Sequence, residues 1–76
     1  KFKNKKLEKD FEYYLKNRSE LKQKFGGSFL IIQNQSILSS LPTFKEAIQF
    51  LNTKTGDFLV QEINESTDSQ TALFSL

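Results

Sequence analysis

The sequence predicts an α+β domain: two helices on one face of a small, mostly antiparallel sheet, in the order α-β-β-α-β with a possible fourth strand at the end. Three observations lead to this fold class. Apolar residues recur at helical spacing between 7 and 25. An unbroken apolar run, Phe29-Leu30-Ile31-Ile32, follows a pair of glycines. The stretch Phe58 to Ile63 alternates its side chains as a strand does. A chain of 76 residues has room for one domain, 1–76, and a domain of this size buries only about 60% of the surface its unfolded chain exposes.

The first helix is marked by Leu7, Phe11, Tyr14, Leu15, Leu21 and Phe25, with Lys, Glu and Asn between them. It is expected to start between Asn4 and Lys6, leaving residues 1–5 as a candidate disordered lead, and to run as one element until Gly26-Gly27. Glycine at a helix end takes up left-handed backbone at little cost, and Lys22 and Lys24 in the last turn suit the negative end of the helix dipole. Arg18 falls on the apolar side, where its stem can pack while its head reaches water.

Phe29 to Ile32 then forms a strand rich in β-formers. Asn34-Gln35 fits a two-residue hairpin turn, because Asn tolerates positive φ. Ser36 to Leu41 returns as a weaker strand, closed by Pro42. Thr43-Phe44-Lys45-Glu46 reads as a capping box opening a second helix, whose buried stripe is Phe44, Ala47, Ile48 and Leu51 and which fades over Asn52 to Thr55, with Gly56 as its C-cap. In the third strand Leu59, Gln61 and Ile63 face one way, and Phe58, Val60 and Glu62 the other. Residues 64–76 read as a polar loop followed by a short strand with Ala72, Phe74 and Leu76 on one side.

A right-handed crossover through the second helix lays the third strand beside the first, giving the sheet order 2-1-3. The first strand is apolar on both sides, yet helices on a single face shield only one of them. The open face would present Phe29, Ile31, Phe58 and Val60, which form the candidate partner surface unless the C-terminal residues fold across it.

Four segments follow one another at the spacing of a known family: Phe11-Glu12-Tyr13-Tyr14-Leu15-Lys16-Asn17, the Gly-x-Phe-Leu-Ile-Ile run from Gly27, Phe44-Lys45-Glu46-Ala47, and Gly56-Asp57-Phe58-Leu59-Val60-Gln61-Glu62-Ile63. Over most of residues 11 to 76 the chain resembles a family of very small bacterial proteins catalogued only as a domain of unknown function. Ser69-Gln70-Thr71 and Phe74-Ser75-Leu76 are similar to the tail of some members. The chain departs from the pattern at Asn34-Gln35, where the family often has a charged, Gly-containing turn, and in lacking a His/Arg pair in the tail. The resemblance implies a stand-alone domain of the bacterial cytoplasm and supplies no activity.

Composition narrows the chemistry further. The chain has no His, Cys, Met or Trp, so the usual neutral-pH base, the best protein nucleophile, disulfides and thiolate zinc sites are all absent. Ser19, Ser28, Ser39 and Ser40 have no His to activate them. Glu8 and Glu12, four residues apart on the first helix, could hold a cation or do acid–base work, but they alternate with Lys9 and Lys16 as a solvated face does. Gly26-Gly27 follows a helix and precedes a strand, the reverse of a phosphate loop. Asn17-Arg18-Ser19, Asn34-Gln35-Ser36 and Asn64-Glu65-Ser66 match the glycosylation pattern, which arises easily by chance in an Asn- and Ser-rich chain. No apolar run of membrane-spanning length and no signal peptide occur; the chain starts at Lys1 rather than Met, which leaves room for a removed upstream segment.

Charge is unevenly spread. Residues 1–24 carry eight Lys and one Arg against four carboxylates, a net of +5, whereas residues 25–76 are net −3. A basic helix can bind phosphates, and Lys3, Lys5, Lys6, Lys9 and Lys16 are the candidate nucleic-acid contacts, with Tyr13 beside them to stack on a base. The single Arg argues against base-edge recognition. The expectation is therefore a non-catalytic interaction module that needs no cofactor or metal and binds a protein partner or a second copy of itself through the sheet. Weak nucleic-acid binding through the Lys-rich helix is the alternative.

Overall fold

The computed structural model describes residues 4–64 and 69–76; residues 1–3 of the expected lead and 65–68 of the expected loop lie outside the described residues. Three helices, α1 (Lys5–Lys16), α2 (Arg18–Phe25) and α3 (Phe44–Leu51), accompany four strands, β1 (Phe29–Gln33), β2 (Ser36–Leu41), β3 (Asp57–Glu62) and β4 (Thr71–Ser75). Every neighbouring pair of strands is antiparallel, in the order β2-β1-β3-β4. The α+β class, the element order and the 2-1-3 core of the sheet match the sequence reading, with β4 added beside β3.

The expected first helix is two helices. Asn17 adopts φ −106° and ψ 16°, and its side-chain amide donates to the Tyr13 carbonyl at 2.8 Å, which its own backbone N–H also reaches at 3.1 Å. A short amide that competes for a main-chain acceptor bends a helix at that point. The start is firmer than expected, since Asn4 caps α1 by accepting from the N–H groups of Lys6 and Leu7 at 2.8 and 3.3 Å. Leu15 sits at the margin of the apolar stripe and remains 48% exposed, and Arg18 is exposed too.

The β1–β2 turn forms as its sequence demands, with Asn34 and Gln35 at φ 53° and 58°, the mirror-image turn that matches strand twist. The Thr43 half of the expected capping box is in place: Glu46 N–H donates to the Thr43 hydroxyl oxygen at 3.1 Å, and that hydroxyl donates to the Glu46 carboxylate at 3.2 Å. Gly56 has φ +127°, and a Cβ there would lie 2.9 Å from the Gln33 amide nitrogen, so this position accepts no side chain without a shift.

The placement of both helices on one face is corrected. Leu30, Ile32, Leu59 and Ile63 pack with Leu7, Tyr14 and Leu21 of α1 and α2. Ile31, Phe58 and Val60 point the opposite way and pack with Ala47 and Leu51 of α3. The sheet is a middle layer with α1 and α2 on one side and α3 on the other. The reason lies in β1, whose residues Leu30, Ile31 and Ile32 are each fully buried. Successive strand residues point to opposite faces, so a continuous apolar run is sheltered only when both faces are covered.

Two predictions follow from this layering. Ile31→Lys places a charge in the layer under α3 and is expected to abolish the folded state, read as loss of the cooperative circular-dichroism transition. Thr43→Ala removes the α3 cap and is expected to lower unfolding free energy by about 1 kcal/mol in denaturant titration.

Candidate interaction surface

Burial overturns the sequence-derived partner surface. Ile31, Phe58 and Val60 are 0%, 2% and 1% exposed beneath α3, and the remaining member, Phe29, is half-buried. These side chains are core because α3 takes the face that was expected to be open.

The exposed apolar area lies beside them, between α3 and β4. Thr43 ends its extended segment and starts α3, which projects Phe44 from the first turn. That ring is 44% exposed, yet it is held on two sides: its centroid lies 5.9 Å from Phe29 and 6.5 Å from Phe74, at tilted angles. Two shallow clefts follow one another along β4. One, of about 380 Å³, is bounded by Phe29, Phe44, Glu62, Gln70, Thr71 and Ala72. The other, of about 180 Å³, is bounded by Ile48, Leu51, Asn52, Lys54, Phe74 and Leu76. With Leu76 53% exposed at the end and Leu73 45% exposed on the reverse side of β4, this margin of the molecule holds three of the most exposed large apolar side chains among the described residues. Sequence reasoning placed Phe44 in the buried stripe of its helix. The signal that it sits outside is its position at the first helical residue, ahead of the layer formed by Ala47 and Leu51.

Polar clasps hold β4 in place. Gln61 is buried, with its amide nitrogen donating to the carbonyls of Glu62 at 3.0 Å and Gln70 at 3.1 Å, and its carbonyl accepts from the Thr71 hydroxyl. At the other end Asn4 donates to Asp57 Oδ2 at 2.8 Å. That bond, followed by one from the Ser75 hydroxyl, holds the Asp57 carboxyl below its ordinary range. One asparagine therefore caps α1 and fastens it to the start of β3, whose Asp57 in turn is bonded to Ser75 at the end of β4.

The Lys-rich helix presents a different surface. Lys5, Lys6, Lys9 and Lys16 are all exposed on α1, while Lys3 lies outside the described residues. A polar depression of about 470 Å³ is bounded by Lys9, Glu12, Tyr13, Lys16, Asn17 and Gln35. Glu12 stands three residues after Lys9 and four before Lys16, so it divides the lysines and weakens their pull on a phosphate chain. Sequence reasoning also missed Asp10, which is 1% exposed. Its Oδ1 accepts the Gln35 N–H at 2.8 Å and so anchors the β1–β2 turn to α1, while Oδ2 is buried with no hydrogen-bond partner among the described residues. The signal was present in the spacing, for Asp10 lies three residues from Leu7 and four from Tyr14, on the buried stripe.

Among the described residues no group of three or more carboxylates comes together as a metal site would require, and no helix is long and apolar enough to cross a membrane. No protein-family model matches the chain, and neither a curated protein nor a solved structure is significantly similar to it. The functional reading therefore rests on the chain's own geometry.

The Asp57 clasp makes a pH prediction. A carboxyl held low in the folded state contributes stability above its unfolded value, near pH 4, and that contribution is lost as pH falls through the folded value. Asn4→Ala is expected to return the Asp57 titration, followed by NMR, upward toward the ordinary carboxylate range and to shrink the part of acid destabilisation below about pH 4 that this group causes.

Proposed function

We propose that this chain is a non-catalytic protein-interaction module that engages its partner along the α3–β4 margin of the sheet. The observation behind this reading is Phe44. A large aromatic ring that is nearly half exposed, and is fixed by Phe29 and Phe74 on either side, has little rotamer freedom left to lose on binding. Rigid aromatic anchors flanked by shallow clefts are the usual centre of an interface. The sheet faces are taken up by the helices, so the edge and its groove are the part of the sheet open to a partner. Nucleic-acid binding through α1 is the less favoured reading, because Glu12 interrupts the lysines.

Phe44→Lys tests the proposal. Phe44 is 44% exposed but its ring packs on Phe29 and Phe74, so the variant is expected to keep its circular-dichroism spectrum while melting several degrees below the wild type. Association, whether with itself by sedimentation or with a protein retained from nuclease-treated lysate, is expected to weaken about tenfold or more. Wild-type protein that stays monomeric up to about 1 mM and retains no protein would overturn the reading. Retention that requires intact nucleic acid would transfer it to α1.

A further inference from the structure

We infer that the partner at this margin is a second copy of the chain, whose β4 pairs antiparallel with β4 about a two-fold axis at Leu73. The inference rests on the interaction-module reading above and names its partner.

The first ground is the direction of the backbone groups. Gly56 and Leu76 exchange N–H···O bonds of 2.8 Å in both directions, and Glu62 N–H donates to the Gln70 carbonyl at 2.9 Å. These bonds turn the even-numbered residues of β4 toward β3, in step with the register Phe58 to Phe74 and Val60 to Ala72. Hydrogen-bonding direction alternates along an antiparallel strand, so Thr71, Leu73 and Ser75 point their N–H and C=O groups away from β3. Among the described residues no strand pairs with that side.

The second ground is the contrast between the two edges. At β2 the register against β1 shifts between Ile31 and Ile32, which leaves Leu38 without a partner, and Pro42 follows the strand directly. A bulge and a proline are common devices by which edges avoid pairing. At β4 the register with β3 runs unbroken through five pairs, and Thr71-Ala72-Leu73-Phe74-Ser75 has no charge and no proline.

The third ground is self-complementarity. With Leu73 opposite its own copy, Thr71 meets Ser75 and Ala72 meets Phe74. The outward-facing residues 71, 73 and 75 then oppose one another, and the pair of strands closes about six hydrogen bonds. Residues directly opposite share a face. Leu73 therefore packs on Leu73 on the α1 side, and Ala72 packs on Phe74 on the α3 side, continuous with the Phe44 groove. No like charges oppose one another. The contact is isologous, as a closed dimer requires.

The test combines sedimentation with amide exchange on the wild-type chain and on Leu73→Lys, which sets two lysines opposite each other across the axis at a position 45% exposed. Dimeric wild type is expected, with exchange at Thr71, Leu73 and Ser75 slowing about tenfold as concentration rises, while Ala72 and Phe74, already bonded to β3, do not change. Leu73→Lys is expected to be a folded monomer. A dimer without concentration-dependent protection at those three amides overturns edge pairing, as does a Leu73→Lys protein that still dimerises. Should that variant unfold, exchange in the wild type decides. Monomeric wild type that still retains another protein in a Phe44-dependent way overturns the second copy and leaves the interaction module standing. Monomeric wild type that retains nothing overturns both.

Discussion

Everything in this fold depends on sheltering β1 from water on both sides. Leu30 and Ile32 turn to one face and Ile31 to the other, and none of the three has measurable exposure. A strand of this composition cannot lie on the outside of a two-layer domain. The chain supplies α1 and α2 before it and α3 after it, and the crossover from β2 to β3 carries α3 over the face that the earlier helices leave bare. Splitting a small core into two half-layers gives each apolar side chain a neighbour from a helix and from a strand. It also leaves no broad sheet face for anything else to use.

How much of this could be read from the residues depends on whether the governing interaction is local. The Asn34-Gln35 turn, the Thr43 cap and the alternation of β3 are set within a few residues, and each formed as its sequence indicates. The side of the sheet that a helix takes is settled by contacts far apart in sequence. The same four-residue apolar run fits two arrangements until the helices are placed. Asn17 is an intermediate case: its bond to Tyr13 is local, but it becomes visible only once the side chain is seen to compete for that carbonyl. The candidate interaction surface was the least legible part. Phe29, Ile31, Phe58 and Val60 are indistinguishable by residue type from an exposed apolar patch, whereas Phe44 owes its exposure to its place at the end of a helix rather than to its chemistry.

Several polar side chains do work that a domain of this size cannot leave to its core. Gln61, Asn4 and Asp10 each tie elements that hydrophobic contact holds weakly: the approach to β4, the ends of β3 and β4, and the hairpin turn. Two of the three are buried, where a side-chain bond strengthens in the lower dielectric and an unmade one is costly. Gln61 and Asn4 fix position as much as they add stability, because a satisfied polar group accepts only one arrangement of its neighbours, whereas Asp10 keeps one carboxylate oxygen unbonded among the described residues.

The unpaired residue at Leu38 also limits valency. A sheet open at both edges can add neighbours at each end and grow without limit, since every addition exposes a fresh edge. Interrupting the ladder on one side removes that option. The register shift in β2 works against growth at that edge, so a neighbour added at β4 would close the sheet rather than extend it.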